Sequence, residues 1–389
     1  MSDSFQIRIV SSLEDIPAAS WNALLEGRPL NPFVTHEFLY ALEKSGSAIA
    51  ETGWYGQHLL LESAEGTLLG ALPCYLKNHS QGEYVFDYGW ADAFMRAGGD
   101  YYPKLQCSVP FTPATGPRFL VPGTEDAPVR RKALIHGLRQ FCEKIGVSSA
   151  HITFLEKDEW EQAADENFLQ RTDQQFHWVN DAYETFDDFL GALSSRKRKN
   201  IKKERRIAQE TPGLSIELLS GDQLTEAIWD RFFIFYEDTG ERKWGTPYLT
   251  REFFSLIGES MGDRILLVLA KRNEDYVAGA INFIGDDCIY GRHWGCTENH
   301  PCLHFEICYY QAIEYAIKMK LPSVEAGAQG AHKLARGYMP VTTRSAHWIT
   351  HPGLRNAVSD YLVHERQEVN KHNEVLKEHG PFKKEEPET

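Results

Sequence analysis

The chain repeats itself, and that repeat limits its fold more than any local motif does. Pro32-Phe33-Val34-Thr35-His36-Glu37-Phe38 in the first half reads again as Pro247-Tyr248-Leu249-Thr250-Arg251-Glu252-Phe253 in the second. The order of elements recurs around this anchor. Each half opens on a Trp-led apolar helix (from Trp21 and from Trp229) and continues into an apolar strand hairpin (Leu59–Leu72 and Leu266–Ile281). Each then runs a long helix into a strand, Arg130–Lys144 into His151–Leu155 and His304–Lys318 into Val324–Ala326. Solenoid repeats have periods of about 20 to 50 residues, far shorter than this one. The pattern therefore predicts two copies of one mixed α/β (α+β) domain, over 5–178 and 183–350, followed by a C-terminal helix and polar tail over 351–389.

At 389 residues each copy is long enough to bury its own core. The longest clean apolar run, Ile265–Ala270, is too short to cross a bilayer. The N-terminus has neither a basic stretch nor an apolar one, and seven scattered cysteines suit a reducing compartment, so a cytoplasmic protein is expected. The net charge of −14 argues against general nucleic-acid affinity. One segment opposes that sum. Ser194–Arg206 packs eight cations and one carboxylate into thirteen residues.

On a helical projection of this segment, Leu190, Leu193, Ile201 and Ala208 share one face. Lys199, Lys202, Lys203 and Arg206 fall opposite, flanked by Arg196 and Arg198, and Ser194 or Ser195 is placed to cap the helix. A solvated basic face, a nuclear-localisation or RNA-binding patch, and a phosphate-holding wall for a nucleotide-linked precursor, coenzyme A or a tRNA acceptor arm all fit. Cationic density in an acidic chain favours the phosphate readings without separating them.

Further on, Ile289–Cys296 reads as a strand ending in a glycine-flanked break, followed by a buried helix through Ile317. His304, Gln311, Glu314 and Lys318 form the one polar stripe of that helix, while Glu306 lies among Tyr310, Ile313 and Ile317. A carboxylate in apolar surroundings either acquires a raised pKa suited to proton transfer or is tied to a cation; Arg292 is one such partner. Glu325–Tyr338 then reads as a strand entering a Gly-rich loop, where Lys333 and Arg336 are placed to meet an anion. It is not a P-loop. Cys296, His300, Cys302, His304 and Cys308 follow no zinc spacing, so no metal is expected. In the first half, aromatic and Pro/Gly-rich loops around Lys104 and Arg118 have the make-up either of binding loops or of loops packed by their own aromatics.

Together these residues resemble the Fem-like proteins, the peptidoglycan biosynthesis/recognition family of the acyl-CoA N-acyltransferase (GNAT) superfamily. The resemblance covers roughly residues 5–365. It is carried by the duplicated halves, by the Ser-Arg-Lys-Arg-Lys-Asn-Ile-Lys-Lys-Glu-Arg helix and by His-Lys-Leu-Ala-Arg-Gly-Tyr, with Gly-Glu-Tyr-Val-Phe-Asp at 82–87, Pro-Phe-Thr-Pro at 110–113 and Leu-His-Phe-Glu at 303–306. It implies tandem GNAT-like domains and transfer of an acyl or aminoacyl group, from acyl-CoA or aminoacyl-tRNA as co-substrate, to an amine-bearing small molecule or peptide. No bound cofactor is implied. The usual GNAT pyrophosphate loop is replaced by Arg292-His293-Trp294-Gly295-Cys296-Thr297, which weighs against coenzyme A.

Amine attack on an activated ester requires a base and a stabilised oxyanion. Glu306 or His304 is the expected base. Backbone N–H groups at Arg292–Gly295 (Arg292, His293, Trp294) are expected to hold the oxyanion, Lys333, Arg336 and Tyr338 to line the substrate site, and Lys104 and Arg118 to bind the acceptor. Arg196, Lys199, Lys202, Lys203 and Arg206 are the expected phosphate contacts. The rival reading is a non-catalytic module that recognises a cell-wall peptide, a nucleotide precursor or RNA.

Overall fold

A computed structural model describes residues 5–244, 247–327 and 330–383, without the side chains of 240–244 and 331. Its contacts divide the chain into two compact units that are not contiguous in sequence. Unit 1 comprises 1–173, 248–253 and 342–370; unit 2 comprises 174–247, 254–341 and 371–389.

The first seven strands belong to unit 1: β1 (Gln6–Val10), β2 (Tyr55–Gly56), β3 (His58–Glu62), β4 (Leu68–Leu72), β5 (Tyr75–Lys77), β6 (Lys104–Cys107) and β7 (Ser149–Thr153). Six more are β8 (Leu169–Val179), β9 (Leu214–Leu219), β10 (Ile265–Arg272), β11 (Asp275–Ile284), β12 (Cys288–Cys296) and β13 (Ser323–Glu325); the last is β14 (Met339–Ile349). In unit 1, β1-β3-β4 form a small antiparallel sheet, and β2-β5-β6-β7-β14 a larger one in which β6 and β7 are parallel. In unit 2 the order is β8-β13-β12-β11-β10-β9, with β12 and β13 parallel. The final strand of the chain thus serves the first unit, while residues 177–179 of β8 serve the second.

The duplication is visible element by element. The predicted hairpins are β3–β4 and β10–β11, each antiparallel. Each parallel pair is bridged by the expected long helix, Ala127–Ile145 in unit 1 and the helical run from Leu303 to Lys318 in unit 2. A parallel pair needs such a crossover. The repeated Thr-x-Glu-Phe is a helix start. Thr35 Oγ1 accepts from the Phe38 N–H at 3.4 Å, and Thr250 Oγ1 from that of Phe253 at 3.3 Å, with an acidic residue in each first turn. The two copies meet in unit 1. Phe38 and Phe253 pack edge to face at 5.6 Å, and Thr250 donates to the Ser45 carbonyl at 3.1 Å.

The basic segment differs from expectation in two ways. It is two helices, Phe186–Ala192 and Ser195–Gln209, because Leu193 and Ser194 leave helical geometry where the Ser194 N–H turns to the Pro381 carbonyl. Ser194 occupies the cap position but its hydroxyl caps nothing. The expected faces survive the break. Leu190, Leu193, Ile201 and Ala208 are buried, and Arg196, Lys199, Lys202, Lys203 and Arg206 are exposed.

Candidate functional site

In unit 2 the register of β12 with β13 stops at Tyr290↔Glu325, while β12 continues to Cys296 against β11. Two steps along β11, from Ala280 to Asn282, face three along β12, from Trp294 to Gly291. The extra residue makes a bulge at Arg292–His293, a device that re-aims side chains beside sites. Gly295 permits close packing here, since a Cβ on it would lie 1.9 Å from the Phe235 carbonyl oxygen of the helix Glu226–Trp244.

The groups around this opening are partly or wholly buried and ionisable. Arg292 Nη2 lies 3.9 Å from Glu325 Oε2, and His177 Nε2 lies 3.7 Å from Glu325 Oε1. Burial, then Arg292, pushes the His177 pKa down to about 3. Lys333 is 1% exposed and donates to the Gly327 carbonyl at 2.7 Å. Burial and then Arg292 lower its pKa to about 7, so its amine is partly neutral near physiological pH. His293 packs edge-on against Tyr236 at 4.9 Å, and burial followed by Arg292 holds its pKa near 3. His304 lies 5.0 Å from the Trp294 ring and 5.5 Å from that of Tyr309, whose hydroxyl meets His332 Nε2 at 2.8 Å.

Other expected site residues have structural partners. Glu306 is wholly buried. Its carboxylate accepts from Arg205 (3.0–3.2 Å), Gln209 (2.9 Å) and Gln311 (2.7 Å), so its tie is to Arg205 and not to Arg292. The turn it begins, Glu306–Tyr310, is π-helical, a local widening common at functional sites. Arg336 donates to Glu204 at 2.9 Å and to the His332 carbonyl at 2.8 Å, with its guanidinium 3.4 Å from the Phe305 ring. Tyr338 has no exposed surface and packs on Tyr309.

In unit 1 Arg118 staples its own loop, donating to the carbonyls of Ala114, Gly116, Pro117 and Thr153 at 2.6–3.1 Å. Lys104 lies in a separate buried cluster with Glu83 and Asp87. The opening in unit 2 therefore gathers Arg292, His293, Trp294, His304 and Lys333, while Lys104 and Arg118 belong to unit 1. Sequence reasoning missed Glu204 and Arg205, which face inward from the basic helix. The available signal was that Arg205 lies four residues from Ile201, on its apolar side.

A duplicated α/β unit with a parallel strand pair that parts company at a bulge is the tandem GNAT-like architecture. The chain belongs to the FemAB-like family, described as peptidoglycan biosynthesis/recognition, whose model matches residues 12–384. The crystal structure of FemX resembles it with a TM-score of 0.55 at 12% identity, over 91% of this chain and 100% of that one. A protein of unknown function from Bacteroides thetaiotaomicron gives 0.52 at 10%, over 89% and 100%. The C-terminal domain of an Agrobacterium fabrum protein named for lysylphosphatidylglycerol synthesis gives 0.52 at 10%, over 89% and 96%. At these identities the likeness is one of fold. A comparison with curated proteins finds no match. Among the described residues no helix is long and apolar enough to cross a membrane.

Proposed function

We propose that this chain moves an acyl or aminoacyl group from an activated donor to an amine, with the reaction at the β12–β13 opening of unit 2. One observation carries the reading. Lys333, 1% exposed and bonded to the Gly327 carbonyl at 2.7 Å, stands just beyond the point where β12 outruns its parallel partner, and burial and then Arg292 lower its pKa. The donor carbonyl lies along the backbone of His293–Gly295, whose N–H dipoles stabilise the oxyanion. Lys333 in its neutral form takes the proton released by the attacking amine, and Arg292 beside it holds donor anionic groups. His304, against Trp294, is the second group able to move a proton there. Glu306, saturated by Arg205, Gln209 and Gln311, holds the helix under the site.

The exposed row Arg196, Lys199, Lys202, Lys203 and Arg206 supplies the phosphate contacts of the donor. Such an extended ridge suits a tRNA end better than a single pyrophosphate, so aminoacyl-tRNA is the favoured donor and acyl-CoA the alternative. A family concerned with peptidoglycan supports a cell-wall peptide or its precursor as the acceptor. The test is titration with charged tRNA, uncharged tRNA and acetyl-CoA at two salt concentrations, followed by turnover with Lys333→Met. Salt-sensitive preference for charged tRNA, with turnover lost in the variant, is expected. Binding of none of the three would favour a recognition module.

A further inference from the structure

The basic run Ser194–Arg206 contains one carboxylate, Glu204. Within a helix such a group ordinarily pairs with cations three or four residues away. The neighbours of Glu204 at those spacings are Asn200, Ile201, Ile207 and Ala208, none of them charged. It turns instead toward the elements under the unit 2 opening. Glu204 Oε1 accepts from Arg336 Nη2 at 2.9 Å. Its Oε2 accepts from the hydroxyl of Tyr310, which ends the π-turn Glu306–Tyr310 and has no exposed surface. The Glu204 side chain is 23% exposed and that of Arg336 9%, so this pair is better shielded from water than the surface pairs that contribute little.

Arg336 carries the contact into the turn that holds Lys333. Its Nη1 donates to the His332 carbonyl at 2.8 Å, and its guanidinium lies 3.4 Å from the centre of the Phe305 ring. A peptide unit is planar, so the His332 carbonyl and the Lys333 N–H move as one plate. Arg336 holds the carbonyl edge of that plate, and the Gly330 carbonyl accepts from its N–H edge at 3.0 Å. Fixing both edges fixes the direction in which the Lys333 side chain leaves the backbone. That direction brings Nζ to the Gly327 carbonyl at 2.7 Å. Arginine suits this place, because its planar fork serves two acceptors at once while its face stacks on a ring.

We propose that Glu204 is a positioning residue for Lys333, acting through Arg336. It works at one remove from the reaction: it orients the guanidinium that pins the plate, and so keeps the Lys333 amine buried on the Gly327 carbonyl. The role rests on the reading of Lys333 as the proton acceptor, but the placement of the amine can be measured without any substrate. Burial lowers the Lys333 pKa first and Arg292 next, with the Cys308 thiol opposing. Removing the Glu204 charge would by itself lower an ammonium pKa further, whereas a loosened turn admits water and raises it. Charge and positioning therefore have opposite signs.

The test is an NMR titration of the full chain labelled with carbon-13 at lysine Cε, the Lys333 signal being assigned by its loss in Lys333→Met. The wild-type signal should titrate at about 7. In Glu204→Gln it should titrate at least about one pH unit higher, and the Lys333 amide should exchange at least about tenfold faster. Arg336→Lys keeps the charge and loses the fork, so it should do the same, and the double variant should move no further than either single one. A titration that stays in place or moves down in Glu204→Gln would overturn the proposal, as would full additivity of the two substitutions. Should Glu204→Gln fail to fold, Arg336→Lys decides by the same two readouts. Turnover that survives Lys333→Met would defeat the transfer reading and leave this geometry standing; an unmoved titration would defeat the geometry and leave that reading standing.

Discussion

Arg205 Nη2 stands 3.0 Å from Glu306 Oε1 with its Nε 3.2 Å from both oxygens, joining the inner face of the basic helix to the π-turn under the unit 2 opening. The same helix presents its exposed cations on the opposite side. One element thus carries a phosphate-facing ridge and a brace for the site.

Removing one partner of a buried ion pair leaves the other charge uncompensated, at a cost of about 3–5 kcal/mol. Arg205→Ala is expected to lose about that much in urea unfolding. Arg205→Lys should lose less, because it keeps the charge but not the bidentate geometry. Equal stability of Arg205→Ala and wild type would mean that Glu306 finds another partner.

Glu306→Gln separates brace from base. Reduced stability is expected with turnover retained to within about tenfold, since base removal typically costs about 10²–10⁴-fold. A larger loss with unchanged unfolding would make Glu306 the base.

Lys333 has a lowered pKa of about 7, from burial and then Arg292. Transfer should therefore rise with pH through about 7, and Lys333→Met should abolish that limb. The sign for stability follows. Between about 7 and the unfolded value near 10.4, the unfolded chain binds the extra proton, so this residue's contribution to stability rises with pH across that window and is flat below it. Matched urea titrations of wild type and Lys333→Met at pH 6 and pH 9 measure the difference.

The ridge makes a different prediction. Lys199, Lys202 and Lys203 are exposed, so replacing all three with Ala should shift stability by no more than about 0.5 kcal/mol per site. The slope of log K against log salt for tRNA should fall by about 1 per lysine in phosphate contact. An unchanged slope would place the donor elsewhere.

Much of this fold could be read from the chain. The Thr-x-Glu-Phe repeat marked the duplication but not the two helix starts that its threonines cap, and the apolar hairpins followed from short continuous apolar runs around a turn. The opening at Arg292–Gly295 was also legible, because its glycines interrupt an apolar run. Partner choice was not. That Glu306 meets Arg205 and not Arg292 depends on a helix 101 residues away in sequence. Lys104 read as an acceptor-binding loop residue and Glu83 and Asp87 as parts of the 82–87 motif, and only the register of β5 with β6 reveals Lys77 opposite Lys104. Nor does local sequence predict that β14 completes the unit 1 sheet, because strand exchange is decided by long-range pairing.

Hydrogen exchange with bound donor locates the reacting carbonyl on the backbone. Backbone amides that receive the donor carbonyl should slow when it binds. With charged tRNA or acetyl-CoA at saturation, His293–Gly295 and the Lys333 turn are predicted to gain protection. Saturable donor binding with no change at those amides would contradict the placement of the reaction in unit 2.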